Sequence, residues 1–185
     1  DEVLAQERLA QGDLPTAIST NMHLFAVGWL SDIWRAGGRR SGFVKTFLET
    51  IVRDRLILGG GISDSKINSM LGFGGAINTS RKAEKVDGGF IVNGTGRFST
   101  MCAAADYLFE TARYNDPRNG PTLLSFYLPA KAAGIKIQNN WDTMSIRASA
   151  SHDILWENVF VPDESANRRP IGQWDQTMKI FCRWN

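Results

Sequence analysis

Cysteine is scarce in this sequence. There are two, Cys102 and Cys182, among 185 residues, and they form neither a CxxC pair nor a disulfide framework. That excludes a disulfide-stapled secreted scaffold and predicts a reduced, cytoplasmic setting. Histidine is equally rare. With only His23 and His152 beside the two thiols, a structural zinc site is excluded, and no metal ligands are assigned. Charge of one sign is missing too. The formal net charge of +2 leaves no electrostatic footprint for nucleic acid, and the small basic cluster Arg39, Arg40 and Lys45 reads as a solvated helix end. No apolar run approaches membrane-spanning length. The opening DEVLAQERLAQGD is acidic and helical, unlike a signal peptide.

Familiar catalytic motifs are absent as well. The glycines at 59–61 are not followed by Gly-Lys-Ser/Thr, so they form no Walker loop, and no helix opens after the GTG at 94–96 to make a dinucleotide fingerprint. Ser151, His152 and Asp153 stand side by side, but strand neighbours point to opposite faces and cannot make a triad. No internal repeat is present.

The residues that are there describe an ordinary globular chain: 43% apolar and 22% charged, long enough for one substantial core. The first third is helical. Residues 1–11 form a short helix ending at Gly12. Pro15 suits a first turn, and Ile18, Met22, Phe25, Trp29 and Ile33 recur at helical spacing up to Gly37-Gly38. Ser41 is placed to cap a third helix with a Phe43, Val44, Phe47, Leu48, Ile51, Val52 stripe. After Arg55 the pattern changes. LILGGGIS reads as a buried strand approached closely by something, residues 64–75 read as a loop, and Asp87-Gly88-Gly89 signals a hairpin. Short strands then follow between Pro, Gly and Asn clusters. The predicted class is α+β: a helical segment over 1–57, a small antiparallel β-barrel or sandwich over 58–164, and from 165 to 185 the start of a further helical region.

One stretch poses the functional question. NGTGRFSTMCAAADYLF places an aromatic, two hydroxyls and three alanines after a glycine turn. Phe98, Ser99 and Thr100 offer a plate with hydrogen-bond donors beside it, suited to a flat ligand. The same residues also suit a tight sheet corner with its backbone satisfied by hydroxyls. Likewise, Ala103-Ala104-Ala105 allows either close packing beneath a ligand or a compact turn.

Two segments carry a family resemblance. DGGFIVNGTGRFSTMCAAADYLFETARY and WDTMSIRASASHDILWENVFVPDE, preceded by the helix LPTAISTNMHLFAVGWL, together resemble the acyl-CoA dehydrogenase superfamily from Leu14 to Asp163. The resemblance implies a helical N-terminal domain, a middle β-domain and a C-terminal helical bundle, with FAD between the last two. It implies that Phe98 packs on the flavin, that Thr100 lies near the edge of the ring with Ser99 between them, and that Ile62 and Ser63, with Asp64, match an earlier flavin-contacting strand. Phe98-Ser99-Thr100 departs from the commoner Trp-Ile-Thr, and Met101-Cys102 from Asn-Gly. A Phe followed by hydroxyls is also similar to the monooxygenase branch, which uses reduced flavin, FMN or FAD, with oxygen.

The catalytic carboxylate of such dehydrogenases lies in the bundle, which would follow Asn185, so no catalytic residue is assigned, and Glu157 reads as a surface residue. The resemblance further implies an acyl-CoA substrate in fatty acid metabolism, an electron-transfer flavoprotein as acceptor, and a homo-oligomeric full-length enzyme. A non-catalytic remnant of the fold is the remaining alternative.

Overall fold

A computed structural model describes residues 2–38, 40–61 and 79–170. Three helices come first: α1 (Glu2–Gly12), α2 (Leu14–Ala36) and α3 (Ser41–Asp54). Asp13 caps α2 by accepting the Thr16 N–H at 3.0 Å, and Pro15 sits in the first turn, where its missing N–H leaves nothing unpaired. α2 ends at Gly37, whose φ of 73° is one that glycine adopts without penalty. Ser41 does not cap α3. Arg40 holds that position, and the Ser41 hydroxyl instead donates to the Trp34 carbonyl at 3.1 Å, which also accepts the Gly37 N–H at 3.0 Å.

The strands are β1 (Leu58–Gly60), β2 (Lys82–Val86), β3 (Gly89–Ser99), β4 (Tyr107–Asp116), β5 (Gly120–Pro129), β6 (Ile135–Ile137), β7 (His152–Pro162) and β8 (Ala166–Pro170). They form a single sheet in the order β6-β7-β3-β2-β4-β5-β8. β1 lies parallel to the start of β4, through Leu58↔Tyr107 to Gly60↔Phe109, while β2 lies parallel to its end, at Lys82↔Arg113 and Ala83↔Tyr114. All other pairings are antiparallel. The α+β class holds, but the described sheet is open and does not close into the expected barrel. Pairing also runs beyond residue 164, because β8 aligns Ala166 with Phe126 on β5. The later part of the expected C-terminal region, residues 171–185, lies outside the described residues.

Alternation along β3, β5 and β7 sends Phe90, Val92, Leu124, Phe126, Ile154, Trp156, Val159 and Val161 into one core, as period-two patterning dictates. The helices cover another face. Ala26, Leu30, Val44 and Ile51 close over Leu58, while Phe25 and Trp29 meet Phe109. Leu58 is fully buried, and burial of a side chain of this kind contributes roughly 1.5–3 kcal/mol.

What approaches the glycines of 59–61 is the chain's own backbone: a Cβ on Gly59 would lie 2.9 Å from the Thr100 carbonyl oxygen, and one on Gly61 3.0 Å from that of Phe98. Nor is the basic cluster simply solvated. Arg40 is part-buried and donates to the carbonyls of Ala166 and Glu164, the latter at 2.7 Å, fastening the α2–α3 corner to the start of β8. No helix among the described residues is long and apolar enough to cross a membrane.

Candidate functional site

The end of β3 is irregular. Between Gly96↔Ile154 and Ser99↔His152 the strand advances three residues while β7 advances two. This β-bulge re-aims the side chains that follow. Phe98 takes a left-handed φ of 56° and Met101 one of 62°, conformations that cost a residue with a Cβ about 1–2 kcal/mol each. The consequence is an aromatic ring turned outward: Phe98 is 52% exposed. Its ring meets Trp141 edge to face, with centroids 5.8 Å apart.

Thr100 follows and is half-buried. Its Oγ1 accepts from Ser151 Oγ at 3.0 Å, and Ser151 Oγ lies 2.8 Å from Ser149 Oγ. The structure therefore brings Phe98 and Thr100 to the same end of the sheet, beside the loop that carries Trp141 and the serines. Ser99 is different. It is fully buried and its hydroxyl donates to Glu110 Oε1 at 2.7 Å, because the bulge turns it to the face opposite its neighbours. Its side chain is thus committed to the interior. Ile62 and Ser63 lie outside the described residues.

The loop is built to hold this edge. Met101 N–H donates to the Ser149 carbonyl at 2.9 Å. Cys102 Sγ donates to the Ala150 carbonyl at 3.4 Å, and burial pushes the thiol pKa up, which makes it a packing group and a poor nucleophile. His152 Nδ1 accepts the Trp141 N–H at 2.9 Å, an orienting role for the imidazole. Asp153 accepts from Asn140 Nδ2 at 3.0 Å and from the Phe98 N–H at 3.4 Å. Ser151, His152 and Asp153 each have separate partners, as expected for neighbours on a strand. Glu157 is exposed and paired with Lys136. The three alanines fall in a turn, where Ala105 packs against Gly59.

Under the bulge lies a feature that the sequence did not announce. Arg81 and Glu110 form an ion pair with neither side chain exposed. A Cβ on Gly96 would sit 2.8 Å from Arg81 Nη1, so that glycine makes room for the guanidinium. Among the described residues, no group of three or more His, Cys, Asp and Glu could hold a metal ion. An outward aromatic plate beside a series of hydroxyls does fit a planar ring with a hydrogen-bonding edge, such as a flavin.

Comparison with known proteins decides the family. YdbM of Bacillus subtilis (strain 168), whose name places it among the acyl-CoA dehydrogenases, is 34% identical over 163 residues, 88% of this chain and 40% of YdbM. The chain belongs to the acyl-CoA dehydrogenase superfamily. An indole-3-acetate monooxygenase of Acinetobacter baumannii is 33% identical over 92 residues, 48% of the chain and 23% of that enzyme.

Among solved structures, KijD3 in complex with FMN and a dTDP-linked amino keto sugar shares the superfamily fold. Its TM-score is 0.81 at 20% identity, with 99% of the chain and 44% of KijD3 covered. No family model matches. The chain spans less than half the length of each of these relatives. Trp141, Ser149 and Ser151 lie in the second segment that carried the resemblance, which marked the stretch without marking the residues. Nothing in the sequence marked Arg81 or Glu110.

Proposed function

We propose that the chain is the flavin-binding portion of an FAD-dependent oxidoreductase that dehydrogenates an acyl-CoA thioester between its α and β carbons. One arrangement carries the reading: the outward Phe98 ring, braced by Trp141, beside the Thr100, Ser151 and Ser149 hydroxyls. It occurs in a chain of this superfamily that matches, over 163 residues, a relative bearing a dehydrogenase name. A flavin bound there would accept the hydride removed from the substrate.

The residues of this chain would bind and orient. Phe98 supplies the plate. Ser151 donates to Thr100 Oγ1, so the Thr100 proton is left to donate to an acceptor on the ring edge. The strained bulge fixes both groups beforehand, and such preorganisation strengthens binding. The carboxylates near this edge are engaged: Asp153 with Asn140 and Phe98, and Asp142 with Arg147 at 2.9 Å. The base that takes the α-proton is therefore assigned to the remainder of the enzyme, as are the acceptor, an electron-transfer flavoprotein, and the homo-oligomeric interface.

A second reading is supported by the indole-3-acetate monooxygenase and KijD3 likenesses: an FMN or FAD monooxygenase in which the same residues hold reduced flavin. The decisive experiment identifies the flavin of the full-length protein and mixes it anaerobically with straight and branched acyl-CoA thioesters. Bleaching of the flavin absorbance supports the dehydrogenase. No bleaching, together with flavin-dependent oxygen consumption when a reductase supplies reduced flavin, replaces it with the monooxygenase.

A further inference from the structure

The most unusual group in the interior is the Arg81–Glu110 pair; two contacts tie it to the bulge and a third ties it to β4. Ser99 Oγ donates to Glu110 Oε1 at 2.7 Å. The Arg81 guanidinium fills the space that a Gly96 side chain would need. The Arg81 carbonyl accepts the Arg113 N–H at 2.9 Å, which fixes the approach of the Arg81 backbone to β4, the strand that carries Glu110. Gly96 and Ser99 are the two ends of the register shift, and Phe98 lies between them with its left-handed φ. The pair thus holds both ends of the irregularity from below while Phe98 projects above.

Charge in a sheet interior is costly unless every partner is in place. Two apolar residues would fill the same space, but they could not fix Ser99 through a directional bond. A hydrogen bond sets a geometry that packing alone leaves soft.

We infer that Glu110 and Arg81, acting through Ser99, are positioning residues: the buried pair fixes the β3 bulge and so sets the direction of the Phe98 ring and the Thr100 hydroxyl. The inference rests on the reading that this face takes the flavin, and it names the device that tunes that site. It also accounts for Ser99, a hydroxyl beside the site that points away from it.

The test uses Ser99→Ala, which cuts the tether and leaves the ion pair and the core in place. Two readouts are taken on the purified protein. Without flavin, amide hydrogen exchange is followed in the peptide spanning residues 97–101, where the Phe98 N–H is held by Asp153 and the Met101 N–H by Ser149. With flavin, the Kd for FAD and for FMN is measured by titration. The expected result is local: exchange in that peptide and the flavin Kd each rise roughly two- to tenfold, the change equivalent to one net hydrogen bond, while exchange in β4 and β5 is unchanged.

Glu110→Gln, which keeps an acceptor for Ser99, should retain more of the flavin affinity than Ser99→Ala does, even where it melts earlier. Unchanged exchange at residues 97–101, a uniform rise across β4 and β5, or an unchanged Kd in Ser99→Ala would each overturn the inference. A wild-type protein that takes up neither flavin overturns the flavin reading itself, and the exchange readout then still decides whether the pair anchors the bulge.

Discussion

His23 on α2 accepts the backbone N–H of Leu58 through Nδ1 at 3.1 Å, so a single imidazole joins the helical layer to the first strand. Protonating Nδ1 would set a donor against a donor. Burial lowers the pKa of His23 below its ordinary value, while in the unfolded chain it titrates near about 6.5. The unfolded state therefore binds the proton more readily. This contribution to stability is complete above about pH 6.5 and is lost as the pH falls from there toward the lower folded value. His23→Asn, whose Oδ1 can accept the same bond, should flatten that part of the stability profile. Urea melts of both proteins across this range check it, and parallel profiles would assign the link no titrating role.

Gly60 is the second junction. Its φ of 115° suits few side chains, and an added Cβ would collide with the Phe109 carbonyl oxygen and lie 2.9 Å from its nitrogen. Backbone cannot move aside there, because Gly61 N–H donates to Phe109 O at 3.1 Å and Gly60 N–H to Thr100 O at 2.9 Å. Gly60→Ala should cost about 2–6 kcal/mol, from strain together with overpacking. A thermal melt should fall by more than about 5 °C. Gly88→Ala, also at positive φ but with open space around it, should cost only the smaller strain component.

The buried pair makes a thermodynamic prediction distinct from its positioning role. Arg81→Met or Glu110→Leu alone leaves an uncompensated buried charge and should cost about 3–5 kcal/mol. The double variant removes both charges and should recover most of that loss. A double-mutant cycle by denaturant unfolding measures it. Strictly additive single effects would mean that the two side chains do not act as a unit.

The helices and the hairpin were legible because local rules decide them: Pro15 in a first turn, Gly37 at an end, Asp87-Gly88 between β2 and β3. Ser41 misled because its hydroxyl turns back to the Trp34 carbonyl at the end of the preceding helix and does not cap its own. The buried pair was illegible for a different reason. Glu110 sits inside YLFETARY on the face it shares with Leu108, Ala112 and Tyr114, so alternation points a carboxylate into the core without naming its partner, which is 29 residues earlier in the chain, on the far side of the Gly88 hairpin. Only the parallel pairing of β2 with β4 brings them together. At the site, the segment FST was visible as a unit, while its division was not. The bulge that exposes Phe98 also sends Ser99 inward, and the aromatic brace, Trp141, comes from a loop 43 residues further on.

That division permits a last prediction, because Phe98 is strained and half exposed. A residue kept for stability would be neither. Phe98→Gly relieves about 1–2 kcal/mol of left-handed strain, offset by roughly 0.5–1 kcal/mol of added backbone entropy and by loss of the edge contact with Trp141. The melt should therefore move by no more than about 1 kcal/mol either way. Phe98→Ala keeps the strain and loses the contact, so it should be the less stable of the two. Both remove the plate, and both should weaken flavin binding alike. Thr100→Val keeps the volume and removes the hydroxyl that Ser151 donates to, so it should cost about 0.5–1.5 kcal/mol of stability and shift the flavin absorbance. Calorimetry and flavin titration of the three variants check the pattern. A Phe98→Gly protein that binds flavin as well as the wild type would show that the ring is turned outward for some other partner, and a Thr100→Val protein with unchanged flavin spectrum and affinity would make the hydroxyl a structural link to Ser151.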